Sequence, residues 1–203
     1  TSFNNSVTLS NTTASITPVT SGNFTNGELA SLTVNITKTS SADAISVSGG
    51  TPTRNGSSNN FAVNAGPLAD FRIPNNIPSP QTAGVAFPLV VTAVDGNNNT
   101  VTSFAGTVNI TVSGGGVISP NVSGNFVSGV WNGSVSISNA GAGRQITVSD
   151  GVRSETSNPF TVNAGALDHF VIDPPITSPQ TAGQNFSVTV RAKDVNNNDV
   201  LHN

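Results

Sequence analysis

The stretch Phe186-Ser-Val-Thr-Val-Arg-Ala-Lys193, running into the turn Asp194-Val-Asn-Asn-Asn198, decides the fold. Phe186, Val188, Val190 and Ala192 alternate with Ser187, Thr189, Arg191 and Lys193. A period of two sends one row of side chains into a core and the other into water, as in a strand of an antiparallel sheet. Val108, Ile110 and Val112 alternate in the same way with Thr107, Asn109 and Thr111. Val135 with Ile137, Ile146 with Val148, and Phe160 with Val162 add further strands, and Trp131 is the largest expected core side chain. No window keeps the i, i+3, i+4 apolar spacing of a helix, and the 25 valines favour a pleated surface. The chain reads as all-β.

Working outward, the same stretch proves to be one copy of a repeat. NAGPLADF at 64–71 returns as NAGALDHF at 163–170, displaced by 99 residues, and SPQTAG at Ser79 returns at Ser178. Between Leu68 and Phe104, 18 of 37 positions are identical to 167–203. The opening residues belong to the same pattern: Thr1-Ser-Phe matches Thr102-Ser-Phe, and Ser21-Gly-Asn-Phe matches Ser123-Gly-Asn-Phe. A unit of about 99 residues, with about seven short strands separated by Gly, Pro and Asn, has the rhythm of an immunoglobulin-like β-sandwich. The expected division is a repeat lacking its first strands at 1–66, a complete repeat at 67–165, and the first strands of a further repeat at 166–203. Three prolines in Pro74–Pro80 suit an edge strand or a kinked approach to one. About four linker residues join the repeats, which predicts a stiff rod.

Composition narrows the function. The 203 residues carry 7 Lys plus Arg and 10 Asp plus Glu, a net charge of -3, so no basic stripe exists to neutralise phosphates and no nucleic-acid partner is expected. No apolar run is long enough for a membrane span, so no membrane insertion is expected, and the first residues lack a signal-peptide layout. There is no Cys, hence no disulfide, thiolate chemistry or Cys-bound metal. The 27 Asn, 26 Ser and 24 Thr are offset by 53 Val, Ile, Leu and Phe, enough to fold.

With an aromatic-led first strand, the SPQTAG turn, the Phe186 to Asp194 strand and an Asn-rich turn, residues 167–200 resemble bacterial immunoglobulin-like repeats of large surface proteins, the invasin or intimin type of adhesin stalk and S-layer-associated proteins. The resemblance implies an extracellular, cell-surface stalk or scaffold whose repeats carry no enzymatic role.

The sites weighed are few. His169 and His202 are the only histidines, do not recur between repeats, and form no constellation with Ser and Asp, so no catalytic residue is named and an enzyme is not expected. Asp95, Asn97 and Asn99, with Asp194, Asn196 and Asn198, offer oxygens at alternate positions, the opening spacing of a calcium loop. The later Gly and bidentate Glu are lacking, and a plain turn explains the same residues. Calcium is therefore a secondary reading and no other cofactor is expected. Ten Asn-x-Ser/Thr sequons occur, of which Asn35, Asn109 and Asn185 fall on outward strand positions that tolerate a glycan. Lys38 and Lys193 are the only lysines, so the complete repeat has none with which to build an isopeptide crosslink.

The two incomplete pieces tile one repeat. Two readings follow: the chain is a stretch of a longer continuous array, or copies join head to tail by strand addition, a contact that does not close and so makes a filament. The residues expected to complete the split repeat are Phe170, Ile172, Phe186, Val188, Val190 and Ala192 of one copy, packed on Leu9, Val34, Ile36, Ile45, Val47 and Phe61 of the next. The competing class is a carbohydrate- or receptor-binding adhesin module, which calls for an exposed aromatic platform.

Overall fold

A computed structural model describes residues 2–200, and among them there is no helix. The chain divides into two compact units, one comprising residues up to Ala69 with Val94–Val101, the other Asp70–Ala93 with Thr102 onward.

The second unit contains a closed sandwich. Its first sheet runs in the order Ile118–Ser119, Val130–Ile137, Phe87–Val94, Asp70–Arg72. The long central pair is antiparallel, with Phe87 opposite Val135, Leu89 opposite Gly133 and Val91 opposite Trp131. The opposing layer is built from Asn109–Val112, Ile146–Ser149 and Ser154–Thr156, and from Gly141–Arg144, Phe160–Asn163 and Gln81–Thr82. Gly141–Arg144 and Ile146–Ser149 are separated only by Gln145, so the two halves of this layer share a bent strand.

Alternation fills the space between the layers. Leu89, Val91 and Ala93 from the first sheet are buried, as are Ile110, Ile146, Val148, Phe160 and Val162 from the second. The rings of Phe87 and Phe160 meet edge to face at 5.9 Å across the sandwich. At one end Phe71, Phe104 and Phe126 form a triad with centroid distances of 5.4, 6.0 and 5.0 Å. Trp131 is buried as expected.

The proline-rich stretch forms no strand until Gln81–Thr82, which lies at a sheet edge and pairs parallel with Phe160–Asn163. Within it the Asn158 side chain replaces the missing ladder, its Oδ1 accepting from Ile77 N at 2.7 Å and its Nδ2 donating to Ile77 O at 3.0 Å. Both backbone groups of a buried residue are thereby satisfied.

The same unit carries the segment after residue 166. Here the structure corrects the expected strand Phe186–Lys193, because only Val190–Lys193 is a strand, paired antiparallel with His169–Ile172. Phe186 to Thr189 have no ladder partner, and alternation alone does not make a strand without one. Asn185 accordingly lies outside any strand, although it is exposed, whereas Asn35 and Asn109 are exposed strand residues. His202 lies outside the described residues.

The first unit holds the sheet Thr8–Asn11, Ile45–Gly49, Arg54–Ser57 and the antiparallel pairs Ile16–Thr17 with Asn35–Ile36 and Ser40–Asp43 with Phe61–Val63. These repeat the pairings of the sandwich. Ile16 faces Ile36 as Ile118 faces Ile137, and Asp43 faces Phe61 as Arg144 faces Phe160. One element differs. Leu29 to Val34 form no strand, whereas their counterparts Val130 to Val135 lie in the eight-residue strand Val130–Ile137.

Two substitutions at equivalent positions test the contrast between covered and uncovered faces. In dilute solution Leu89→Ala should destabilise the sandwich by about 2–5 kcal/mol. Val188→Ala should cost less than about 0.5 kcal/mol. Urea unfolding followed by Trp131 fluorescence measures both.

Candidate assembly surfaces and junction turns

The strands His169–Ile172 and Val190–Lys193 form a two-faced ribbon. Phe170 lies opposite Ala192 and Ile172 opposite Val190, so these four share a face, while His169, Val171, Arg191 and Lys193 share the other. On the second face Arg191 pairs with Asp173 at 3.1 Å and Lys193 with Asp199 at 2.8 Å. His169 Nδ1 lies 2.8 Å from the neighbouring Asp168 carboxylate, on the surface.

The first face is apolar and open. Phe170 is 65% exposed where its counterpart Phe71 is 0%, Val188 is 50% where Leu89 is 2%, and Val190 is 58% where Val91 is 0%. Phe186 and Ile172 are exposed to a similar degree, and Ala192 is half-buried. The sequence-expected partners are thinly covered too. Leu9 is buried, but Val34, Ile36, Ile45, Val47 and Phe61 are only half-buried. Their counterparts Val135, Ile137, Ile146, Val148 and Phe160 are fully enclosed. Of the first set, the ladder places Phe170, Ile172, Val190 and Ala192 on one face, and of the second it sets Leu9 opposite Val47.

In the Asn-rich turns the aspartate carboxylates accept hydrogen bonds from several N–H donors. In Asp95–Asn99, Oδ1 of Asp95 accepts from the N–H groups of Asn97 (2.8 Å) and Asn99 (2.9 Å), and Oδ2 accepts from Gly66 N at 2.8 Å. The Asn99 side chain donates to Asp95 Oδ2 at 2.9 Å and to Thr37 O at 2.9 Å, while its Oδ1 accepts from Thr39 N at 3.2 Å. Asn98 closes the turn at φ 63°, a left-handed conformation that Asn tolerates.

The second turn repeats this almost atom for atom. Asp194 accepts from the N–H groups of Asn196, Asn198 and Gly165, and Asn198 donates to Ser138 O at 2.8 Å and accepts from Ala140 N at 2.8 Å. Asn197 sits at φ 65°. Each turn therefore clasps the glycine of an Asn-Ala-Gly segment and a loop further back in the chain, at Thr37–Thr39 or Ser138–Ala140. Asn97 and Asn196 contribute backbone N–H groups, not side-chain oxygens, to the carboxylate. Among the described residues no three His, Cys, Asp or Glu side chains gather into a metal-binding cluster.

Burial by itself would raise the Asp95 pKa, but the Asn99 side chain and the N–H groups of Asn99, Gly66 and Asn97 outweigh it and hold the carboxylate at about 2. Asp194 is lowered for the same reasons, burial again being opposed by Asn198, Gly165 and Asn196.

Sequence reasoning did not find a third buried charge. Asp43 accepts from the Asn11 side chain at 2.7 Å and from Thr12 N at 2.9 Å. Its counterpart is Arg144, which donates to the carbonyls of Ser113, Gly114 and Ala140. The signal was a charge reversal within Asp43-Ala-Ile45-Ser-Val47 and Arg144-Gln-Ile146-Thr-Val148.

No protein-family model matches the chain, and no curated protein sequence matches it significantly. Among solved structures, the surface-layer protein SbsC, domains 1–6, is 18% identical with a TM-score of 0.36, over 96% of this chain and 24% of that one. The Escherichia coli adhesin FdeC is 16% identical with a TM-score of 0.42, over 77% and 52% respectively. Surface proteins are among its structural neighbours. A Parabacteroides merdae β-glucuronidase is also similar, at 12% identity and a TM-score of 0.35, over 75% of this chain and 20% of that one. The chain thus spans about a quarter of the surface-layer chain and half of the adhesin. Identities and TM-scores this low transfer no role from any of the three.

Asp95 and Asp194 have depressed pKa values in the fold, so their stabilisation is complete above the ordinary carboxylate pKa of 3.8 and is lost as pH falls through the folded value. Thermal stability should therefore be flat above about pH 5 and drop between about pH 4 and pH 2. Asp95→Ala should cost about 1–3 kcal/mol at pH 7 by leaving the buried Asn99 N–H and side-chain amide without their acceptor, and should flatten that acid slope. Calorimetry across the pH range reads both.

Proposed function

We propose that the chain is a structural, extracellular segment of a cell-surface stalk or filament, made of tandem immunoglobulin-like repeats of about 99 residues with about seven strands each. On this reading 1–66, 67–165 and 166–203 are a repeat lacking its first strands, a whole repeat and the first strands of another. The repeats join end to end, by strand complementation between copies or by continuation of a longer array. No catalytic role is assigned.

The observation that carries the reading is the exposure of Phe170, Phe186, Val188 and Val190, whose counterparts Phe71, Phe87, Leu89 and Val91 are enclosed in the sandwich. Exposed apolar residues mark an interaction site when they are contiguous and edged by polar residues. The half-covered Val34, Ile36, Ile45, Val47 and Phe61 supply the matching half. A carbohydrate- or receptor-binding module is less well supported, because Trp131 is buried and the exposed rings, Phe170 and Phe186, correspond to Phe71 and Phe87, which are core residues of the sandwich.

Glycans at the exposed Asn35, Asn109 and Asn185 suit an extracellular location and would add solubility to a surface with 8% charged residues. Calcium at the Asp95 and Asp194 turns is the weaker proposal, because each carboxylate is already engaged by N–H donors.

Two measurements test this. Sedimentation velocity with negative-stain imaging should show concentration-dependent, end-to-end oligomers of the chain, and deletion of residues 167–203 should abolish them. A chain that binds an array of glycans and stays dispersed supports the adhesin module instead. Separately, the unfolding temperature should be the same in excess chelator and in millimolar calcium. A rise with calcium would assign the turns to metal.

A further inference from the structure

In the first unit the rings of Phe3 and Phe24 meet edge to face at 5.1 Å. Their counterparts, Phe104 and Phe126, meet at 5.0 Å, but there a third ring, Phe71, completes the cluster and is fully buried. Phe3 and Phe24 have no third ring among the aromatic contacts of the described residues. Instead they line an apolar cavity of about 400 Å³ together with Val7, Val47 and the backbone of Gly49 and Gly50. Val108 and Val148, which correspond to Val7 and Val47, are buried in the sandwich.

The residue that corresponds to Phe71 is Phe170, and in this chain it is 65% exposed, so it is not the occupant of its own chain's cavity. A second observation fits the same partner. Leu29 to Val34 form no strand, and the strand that orders their counterparts in the sandwich is Phe87–Val94. The segment corresponding to Phe87–Val94 begins at Phe186, and Phe186 to Thr189 likewise have no ladder partner.

We propose that the cavity between Phe3 and Phe24 is a binding site for the Phe170 ring of a second copy of the chain, with Leu29–Val34 pairing antiparallel to that copy's Phe186–Arg191. Transferring the register of the sandwich sets Phe186 opposite Val34, Val188 opposite Leu32 and Val190 opposite Ala30. The ring is the anchor: an aromatic side chain buried in a preformed apolar pocket gives more binding energy than the ladder around it, whose hydrogen bonds replace bonds to water. The ladder supplies register, since a slip of one residue would turn Val188 and Val190 away from the core. This inference rests on the proposed joining of copies and adds its anchor and its alignment.

The test uses the 203-residue chain, which has no cysteine. Phe170→Ala should weaken self-association at least tenfold by sedimentation velocity, and Phe170→Leu should recover part of it. A Val190→Cys chain mixed with an Ala30→Cys chain should form disulfide-linked heterodimers under mild oxidation. The off-register mixture, Val190→Cys with Ser31→Cys, should stay at background. If oligomers form but Phe170→Ala associates like the parent, or both mixtures crosslink equally, the pocket and register are wrong while the joining of copies stands. If the parent chain remains monomeric at every concentration, the proposal and the subunit form of the stalk fall together.

Discussion

A strand with one apolar face needs a second layer to cover it, and the rest of this structure depends on that requirement. Leu89, Val91 and Ala93 are shielded because Ile110, Ile146, Val148, Phe160 and Val162 lie across from them. Each such Val, Leu, Ile or Phe side chain gains roughly 1.5–3 kcal/mol from burial. Where the opposite layer is missing, as over Val188 and Val190, that gain is absent, and Phe186 to Thr189 form no strand although Val190–Lys193 still pairs with His169–Ile172. Secondary structure here follows from coverage as much as from local propensity.

This explains what could be read in the sequence and what could not. Alternation at Val108 to Val112 and at Ile146 and Val148 is local, and it located the sandwich core. The three prolines of Pro74–Pro80 are also local, and an edge strand did follow them. Whether Phe186 to Thr189 extend as a strand depends on a partner remote in sequence, so the pattern overstated the strand. The Asp95 and Asp194 turns were ambiguous for a similar reason. The spacing Asp-x-Asn-x-Asn opens a calcium loop as well as a plain turn, the turn being the first reading, and the partners that define the observed geometry, Gly66, Thr37 and Thr39, lie about 30 to 60 residues away. Phe3 and Phe24 were visible as repeated residues, but their role required the ring geometry.

The two turns also show how a sparsely charged protein handles buried carboxylates. Neither Asp95 nor Asp194 is paired with a cation. Backbone amides and one asparagine side chain supply four donors to each, which keeps the charge in place by dipoles fixed to the main chain. Such contacts lie within the protein and are poorly screened by salt, unlike surface ion pairs. Because the motif engages Gly66 and the loop at Thr37–Thr39, or Gly165 and the loop at Ser138–Ala140, it ties together backbone segments about 30 to 60 residues apart.

The opposite charges at Asp43 and Arg144 have a consequence for folding fidelity. Adjacent near-copies in one polypeptide can exchange equivalent segments and become trapped as chimeras. At this position one copy presents a carboxylate to amide donors and the other presents a guanidinium to carbonyl acceptors. A chimera would set a carboxylate against carbonyl oxygens, or a guanidinium against N–H groups, inside a closed interior where neither charge could find water. Divergence at a single buried site thus marks each segment as belonging to its own copy.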